Sequence, residues 1–328
     1  MTHNLAIQDD KAEMFYVGER PWHGLGTELD HPATAAEAIE AAGLNWQVVP
    51  RELVTKAGDK VDNHRAIIRL DTHACLGVVG PGYIPIQNRE AFAFFDTVVG
   101  GGRAHYHTAG ALGSGERIWM LARLPGDVVI DGTDDVTEKF LLLSNSHDGS
   151  SSLRMFFTPV RVVCQNTLNV ALNGSAQQGI SIRHTGDIAT KVSESQRALG
   201  LAVRYYDDLE DMVNRLARIP LRQRDLGEYF LRVMPDREES ESHTRTENIR
   251  HAMLRNFEDG RGNDLPGIRG TLWAAVNAVT EFVDHQRSTR GTRDVERRSN
   301  RLASQWFGSG ARLKARAWEE ALAVAANN

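Results

Sequence analysis

Two histidines and one His-Asp pair carry the spacing in this chain that would permit catalysis. His105 and His107 lie two apart, so on a strand both would point to one face. With His23, His147 or Asp148 they would begin a metal site, but such a site needs three or four converging ligands and a supporting shell. The sequence supplies only the pair, and no metal or other cofactor is expected. His147 and Asp148 with Ser146 or Ser150 are the ingredients of a nuclease or hydrolase centre. Triad members bond through space, whereas neighbours in a tight turn point apart, and no G-x-S-x-G elbow occurs in the chain. Cys164 sits among apolar residues rather than in the electropositive, exposed setting a nucleophile requires. Gly100-Gly101-Gly102 before Arg103 ends a helix instead of opening one, so it is a turn and not a phosphate loop. No catalytic residue is assigned.

Basic and amide side chains make a different pattern. Lys139, Asn145, His147, Arg154, Arg161, Gln165, Asn166 and Arg183 gather around one stretch, Lys139 to Leu172, and suit phosphates and base edges. Trp22, His23, Tyr106 and Phe156 would add stacking surfaces for unpaired bases. From Arg261 onward eleven Arg or Lys face seven Asp or Glu. Arg287, Arg290, Arg293, Arg297, Arg298 and Arg301 concentrate that excess. Charge runs are usually solvated faces, yet this one stands on a chain of formal net charge −5.

The stretch that must position these groups reads as a hairpin feeding a helix. Phe140 to Leu143 is too short for a helix, and Ser144 to Ser151 is a loop composition with Gly149 at its tip. Leu153, Met155 and Phe157 alternate with polar or larger neighbours as a return strand, which Pro159 should stop. Val160, Val163, Cys164, Thr167, Leu168 and Ala171 then follow at helical spacing. Upstream, Trp46 to Val54, Arg65 to Leu70 and Cys75 to Val79 are expected as strands, and Asn88 to Val99 as a helix capped by Asn88. Residues 1–13 are polar and expected to be loosely held, and Met14 to Gly26 reads as an irregular aromatic segment. Arg103 to Leu112 and Glu116 to Leu124 read as a hairpin. Beyond Asp187 the pattern turns helical, beginning with a long amphipathic candidate from Ile188 to Leu216.

The run from Ser144 to Leu172 resembles an uncharacterised family of phage- and plasmid-borne proteins, the domain of unknown function 932. MFYVGERPWHGLG at Met14 to Gly26 and GTLWAAVNAVTEFVDH at Gly270 to His285 fit the same resemblance. It implies a genomic habitat and no reaction.

Composition bounds the rest. A chain of 328 residues, 41% hydrophobic and 25% charged, can bury a sizeable core and has ordinary globular proportions. Cys75 and Cys164 are the only cysteines, so neither a disulfide framework nor a Cys-based zinc site is available, and both are expected as buried thiols. No apolar run approaches the roughly 20 residues that span a bilayer, and the N-terminus lacks a signal-peptide pattern. The expectation is a cytoplasmic α+β protein without a membrane partner. It comprises a mostly antiparallel sheet with helices on one face (1–185) and a helical C-terminal region packed on it (186–328). Single-stranded DNA is the expected partner. The strand–strand–strand–helix order from Trp46 to Val99 is similar to the core of Rad52-type annealing proteins, whose rings would make this chain a homo-oligomer. A nuclease or hydrolase, and a protein that blocks a host factor, are the alternatives.

Overall fold

The computed structural model describes residues 5–8, 11–18, 26–99, 105–161, 166–167, 180–182, 204–236, 240–288, 304–305 and 308–328. The fold is α+β. Its spine is an antiparallel pair, β9 (Arg117–Val129) and β10 (Val136–Ser146), joined by a turn at residues 130–135. β8 (His105–Leu112) pairs with β9 on the far side, and β3 (Met14–Val17) pairs with β8. β4 (Thr27–Leu29) adds in parallel to β3. On the other flank β10 meets β11 (Leu153–Phe157) and β12 (Val160–Arg161), which continue to β14 (Ile180–Ile182) and β13 (Asn166–Thr167) respectively.

Alternation along β10 sends Leu141 and Leu143 into the main core and Phe140 and Leu142 into a second cluster with Met14, Trp119 and Leu121. Opposite faces of one strand are therefore both apolar and both buried. The main core is covered by α1 (Ala35–Ala41), α2 (Asn88–Val99) and a helix whose described part is 204–217 (α3). α1 begins with a complete capping box between Thr34 and Glu37. A second sheet, the meander β5 (Val48–Val54), β6 (Lys60–Arg69) and β7 (Cys75–Val79), lies next to it in sequence. The helical part comprises α3, α4 (Gln223–Val233), α5 (Ser240–Asp259), α6 (Leu272–Glu281) and α7 (Ser309–Ala326). It docks on the β9–β10 turn: Trp273 Nε1 donates to Asp135 Oδ2 at 2.9 Å, and Asn214 Oδ1 accepts from the Asp131 amide at 2.8 Å. One hydrophobic cluster runs from Ala6 to Ala325. Among the described residues no helix is long and apolar enough to cross a membrane.

Five expectations are corrected. The helix from Val160 to Ala171 is absent where it is described: Val160 pairs with Thr167 and Arg161 with Asn166 as antiparallel strands. Pro159 does not end the edge, because Thr158 donates to the Phe140 carbonyl at 2.9 Å and Val160 and Arg161 pair with Glu138 and Thr137. Val160, Val162, Val163 and Thr167 are β-branched, and an open sheet edge rewards that stiffness more than helical spacing does. The N-terminus is not loose: β1 (Ile7–Gln8) and β2 (Lys11–Ala12) form a hairpin, and Leu5, Ala6 and Glu13 are buried. Met14–Val17, the start of the segment read as irregular, is a sheet strand. Asn88 is the first residue of α2 rather than its cap, since the Ala91 amide bonds to the Gln87 carbonyl and the Gln87 amide to Glu90 Oε2. Cys75 is exposed, because Leu76 and Val79 are the inward residues of β7. Cys164, Gly100–Gly102 and residues 188–203 of the long helix lie outside the described residues.

Gly77 tests the meander's contact with the sheet. A Cβ there would stand 2.6 Å from Asp148 Cα and 2.9 Å from its carbonyl oxygen, while one at Gly80 would meet nothing within 4 Å. Gly77→Ala should lower stability by about 1–3 kcal/mol through overpacking, and Gly80→Ala should stay within about 0.5 kcal/mol. Urea unfolding of the two variants beside the native chain measures the difference.

Candidate nucleic-acid interface

The turn that links β10 to β11 is enclosed. Asn145, Ser146 and His147 are all 0% exposed. His147 Nε2 lies 2.8 Å from Asn88 Oδ1, and the Asn88 amide nitrogen donates to the Leu44 carbonyl at 2.9 Å. That second bond makes Oδ1 the acceptor, so Nε2 carries the proton. The imidazole meets Trp46 edge-on at 5.3 Å. Asn145 donates to the Ile86 carbonyl, and the Tyr83 hydroxyl to the Ser146 carbonyl at 2.8 Å.

Asp148 works on different partners. Its Oδ1 accepts from Ser146 Oγ at 2.6 Å and from the Ser150 amide at 2.8 Å. Burial pushes this carboxyl up, but the hydrogen bonds from Ser146 and Ser150 outweigh it and hold it below the ordinary range. His147 and Asp148 therefore make no mutual bond of the kind a triad needs, and the turn is a brace between sheet, meander and α2. A neighbouring brace escaped the sequence reading altogether. Arg69, 2% exposed, donates to Glu13, Asp71, Gln8 and the Ser114 carbonyl, and stacks 4.2 Å from the Trp46 ring centroid.

The expected nucleic-acid contacts divide accordingly. Asn145 and His147 present no atom to solvent, and Tyr106 is buried between Phe92 and Phe95, so none of the three offers a contact or a stacking surface. Lys139 is half-buried at the β9–β10 bulge, 5.8 Å from the Tyr206 ring centroid. Arg154 is exposed on β11, opposite Ser144 and Ser181. Phe156 is half-buried on the same strand. Arg161 and Asn166 face each other in the β12–β13 ladder. Trp22, His23, Gln165, Arg183, Arg297 and Arg298 lie outside the described residues.

His105 pairs with Arg123, but a bulge between Tyr106 and Thr108 makes His107 an extra residue in the ladder. Its ring packs edge-on against Phe140 at 5.1 Å. Burial and then the charge of Arg123 push the imidazole down to about 4. Among the described residues no three His, Cys, Asp or Glu side chains converge to hold a metal ion.

Positive charge accumulates elsewhere, where α5, α6 and α7 meet. α6 ends in a π turn, Phe282–Gln286, whose closing bond runs from the Arg287 amide to the Phe282 carbonyl at 2.7 Å. Arg287 is half-buried and donates through Nη2 to Ser309 Oγ at 3.1 Å, while its Nη1 is enclosed and meets no acceptor. Ser309 opens α7, and Arg312 lies one turn further on. Burial, then the charges of Arg245 on α5 and of Arg312, hold the Arg287 guanidinium below its ordinary range. Among the described residues no carboxylate forms an ion pair with Arg245, Arg287 or Arg312. By contrast Lys314, one helical step away, is buried against Asp284 at 2.9 Å. Arg287 heads the arginine run visible in the sequence. Arg245 and Arg312 were missed, because they sit on separate helices that only the fold brings to it.

A family model described as a domain of unknown function, DUF932, matches residues 75–306. No curated protein and no solved structure matches the chain.

The bulged histidine predicts an acid-side loss of stability. Between about 6.5 and about 4 the unfolded chain binds a proton at His107 that the folded chain refuses, so stability falls as pH drops through that window. His107→Phe, which keeps the packing on Phe140, should lose about 1–3 kcal/mol less than the native chain over the same range. Urea midpoints at pH 7.5 and 4.5 read the difference directly.

Proposed function

Because the chain belongs to the DUF932 family, whose description assigns no activity, we propose its function from the geometry: it binds single-stranded nucleic acid through phosphate contacts. The observation that carries this reading is the convergence of Arg245, Arg287 and Arg312 without a carboxylate partner among the described residues. Like charges placed together repel, and holding one of them half-buried adds a desolvation cost. A bound polyanion relieves both. A strand backbone supplies evenly spaced anions without needing a deep cleft, which suits a junction of three helices. Arg154 on the exposed edge strand β11 is a second contact of the same kind.

The finer reading is strand annealing in phage or plasmid DNA metabolism, by a homo-oligomer. Its support is topological: β5, β6 and β7 form an antiparallel meander followed by α2, the order found in Rad52-type annealing proteins. Fold order alone is weak support for function.

Salt dependence tests the reading. Affinity for a fluorescent single-stranded oligonucleotide should fall steeply with salt, with a log–log slope of about −0.7 for each phosphate contacted. Arg312→Gln should flatten that slope by about 0.7, and Arg245→Gln with Arg312→Gln by about 1.4, at every base composition. No binding to single-stranded DNA or RNA at low ionic strength would end the proposal.

A further inference from the structure

The arginine junction has more donors than a passing backbone can use. Ser309 Oγ already accepts from Arg287, which leaves its own proton free to donate. The helix it opens is uncapped: Gly308 stands at the N-cap and no side chain bonds there. The first amides of a helix have no partner within it and carry its positive dipole end. Only the Gly310 amide is met by a side chain, Ser304 Oγ at 3.1 Å. Three guanidiniums, one hydroxyl and the start of an 18-residue helix thus point charge and donors at one place.

Two kinds of phosphate could neutralise it. An internal phosphodiester carries a single charge and shares its oxygens with two sugars. A phosphate monoester carries about −1.5 to −2 and offers three acceptor oxygens, which match both the charge and the number of donors more closely. Arginine forks and helix N-termini are the two protein devices best suited to that group.

Resting on the strand-binding reading, we propose that Arg245, Arg287, Arg312 and Ser309 form a receptor for a terminal phosphate monoester. The chain thereby recognises the end of a strand rather than only its interior. Arg287 is the central ligand, fixed in place by the π turn on one side and Ser309 on the other. Arg245 and Arg312, both exposed, close over the phosphate from neighbouring helices.

The experiment compares three fluorescent oligonucleotides of identical sequence, carrying a 5′-phosphate, a 3′-phosphate or hydroxyls at both ends, with inorganic phosphate as competitor. One phosphorylated form should bind about tenfold or more tightly than the hydroxyl form, since extra charge-assisted hydrogen bonds are made only to it. Arg287→Gln should abolish the preference. Arg312→Gln and Ser309→Ala should reduce it while leaving the thermal unfolding midpoint near that of the native chain, which guards against a folding defect at Arg287. Equal affinity for all three ends overturns the inference and leaves strand binding standing. Displacement by inorganic phosphate, lost in Arg312→Gln, with no oligonucleotide binding would overturn strand binding and keep the monoester site. Absence of both kinds of binding removes both readings.

Discussion

A strand that is apolar on both faces has to be covered twice. β10 is such a strand, with Leu141 and Leu143 in one core and Phe140 and Leu142 in another, and the architecture follows from that demand. One side receives α1, α2 and α3 in the main core; Met14, Trp119 and Leu121 form the second layer with Phe140. The strand's polar end, Ser144 to His147, can be buried only because neighbouring elements supply its hydrogen bonds. Asn88 at the start of α2 and Tyr83 before it do so. The helical C-terminal part is tied to the same spine at residues 130–135 through Trp273 and Asn214. Tyr206 completes the attachment. Its hydroxyl accepts from the Phe140 amide at 2.8 Å and donates to the Phe140 carbonyl, at the point where the β9–β10 register slips.

Local signals were legible in the sequence wherever local energetics decide. α2 spans Asn88–Val99 as its phenylalanine spacing implies, β7 spans Cys75–Val79, and the β10–β11 hairpin turns where Gly149 and the serines require. The misreadings share one cause. At Val160 to Thr167 the spacing of apolar residues allows a helix, but a free edge on β10 offers hydrogen bonds that no local pattern announces. Residues 1–13 look polar, yet Arg69, fifty-six positions from Glu13, makes that segment worth burying. Contacts of this range are invisible to periodicity.

The candidate site repeats the lesson. The residues most suggestive of chemistry, His147 and Asp148, are spent on holding the turn together. Histidine, asparagine and serine serve a buried joint as well as they serve an active site, because both need donors and acceptors at fixed angles. What marks the arginine junction out is unbalanced charge. Elsewhere the arginines are matched, Arg69 with Glu13 and Asp71, Arg123 with Asp127 and Glu138, Arg232 with Glu320. A composition that gives net negative charge overall makes a local excess of arginine a structural expense.

The π turn gives that junction an origin. A π turn is an α-helix with one residue inserted, accommodated by bonds that reach back five positions instead of four. Each residue in a helix advances the direction of its side chain by about 100°. Deleting one residue between Phe282 and Gln286 would restore an ordinary helix and swing position 287 by roughly that angle, away from Ser309. Within the family, chain length at this turn therefore separates members that can assemble the junction from members that cannot, even where every arginine is retained. A single-codon insertion, rather than the acquisition of new charge, is the smallest change able to create it.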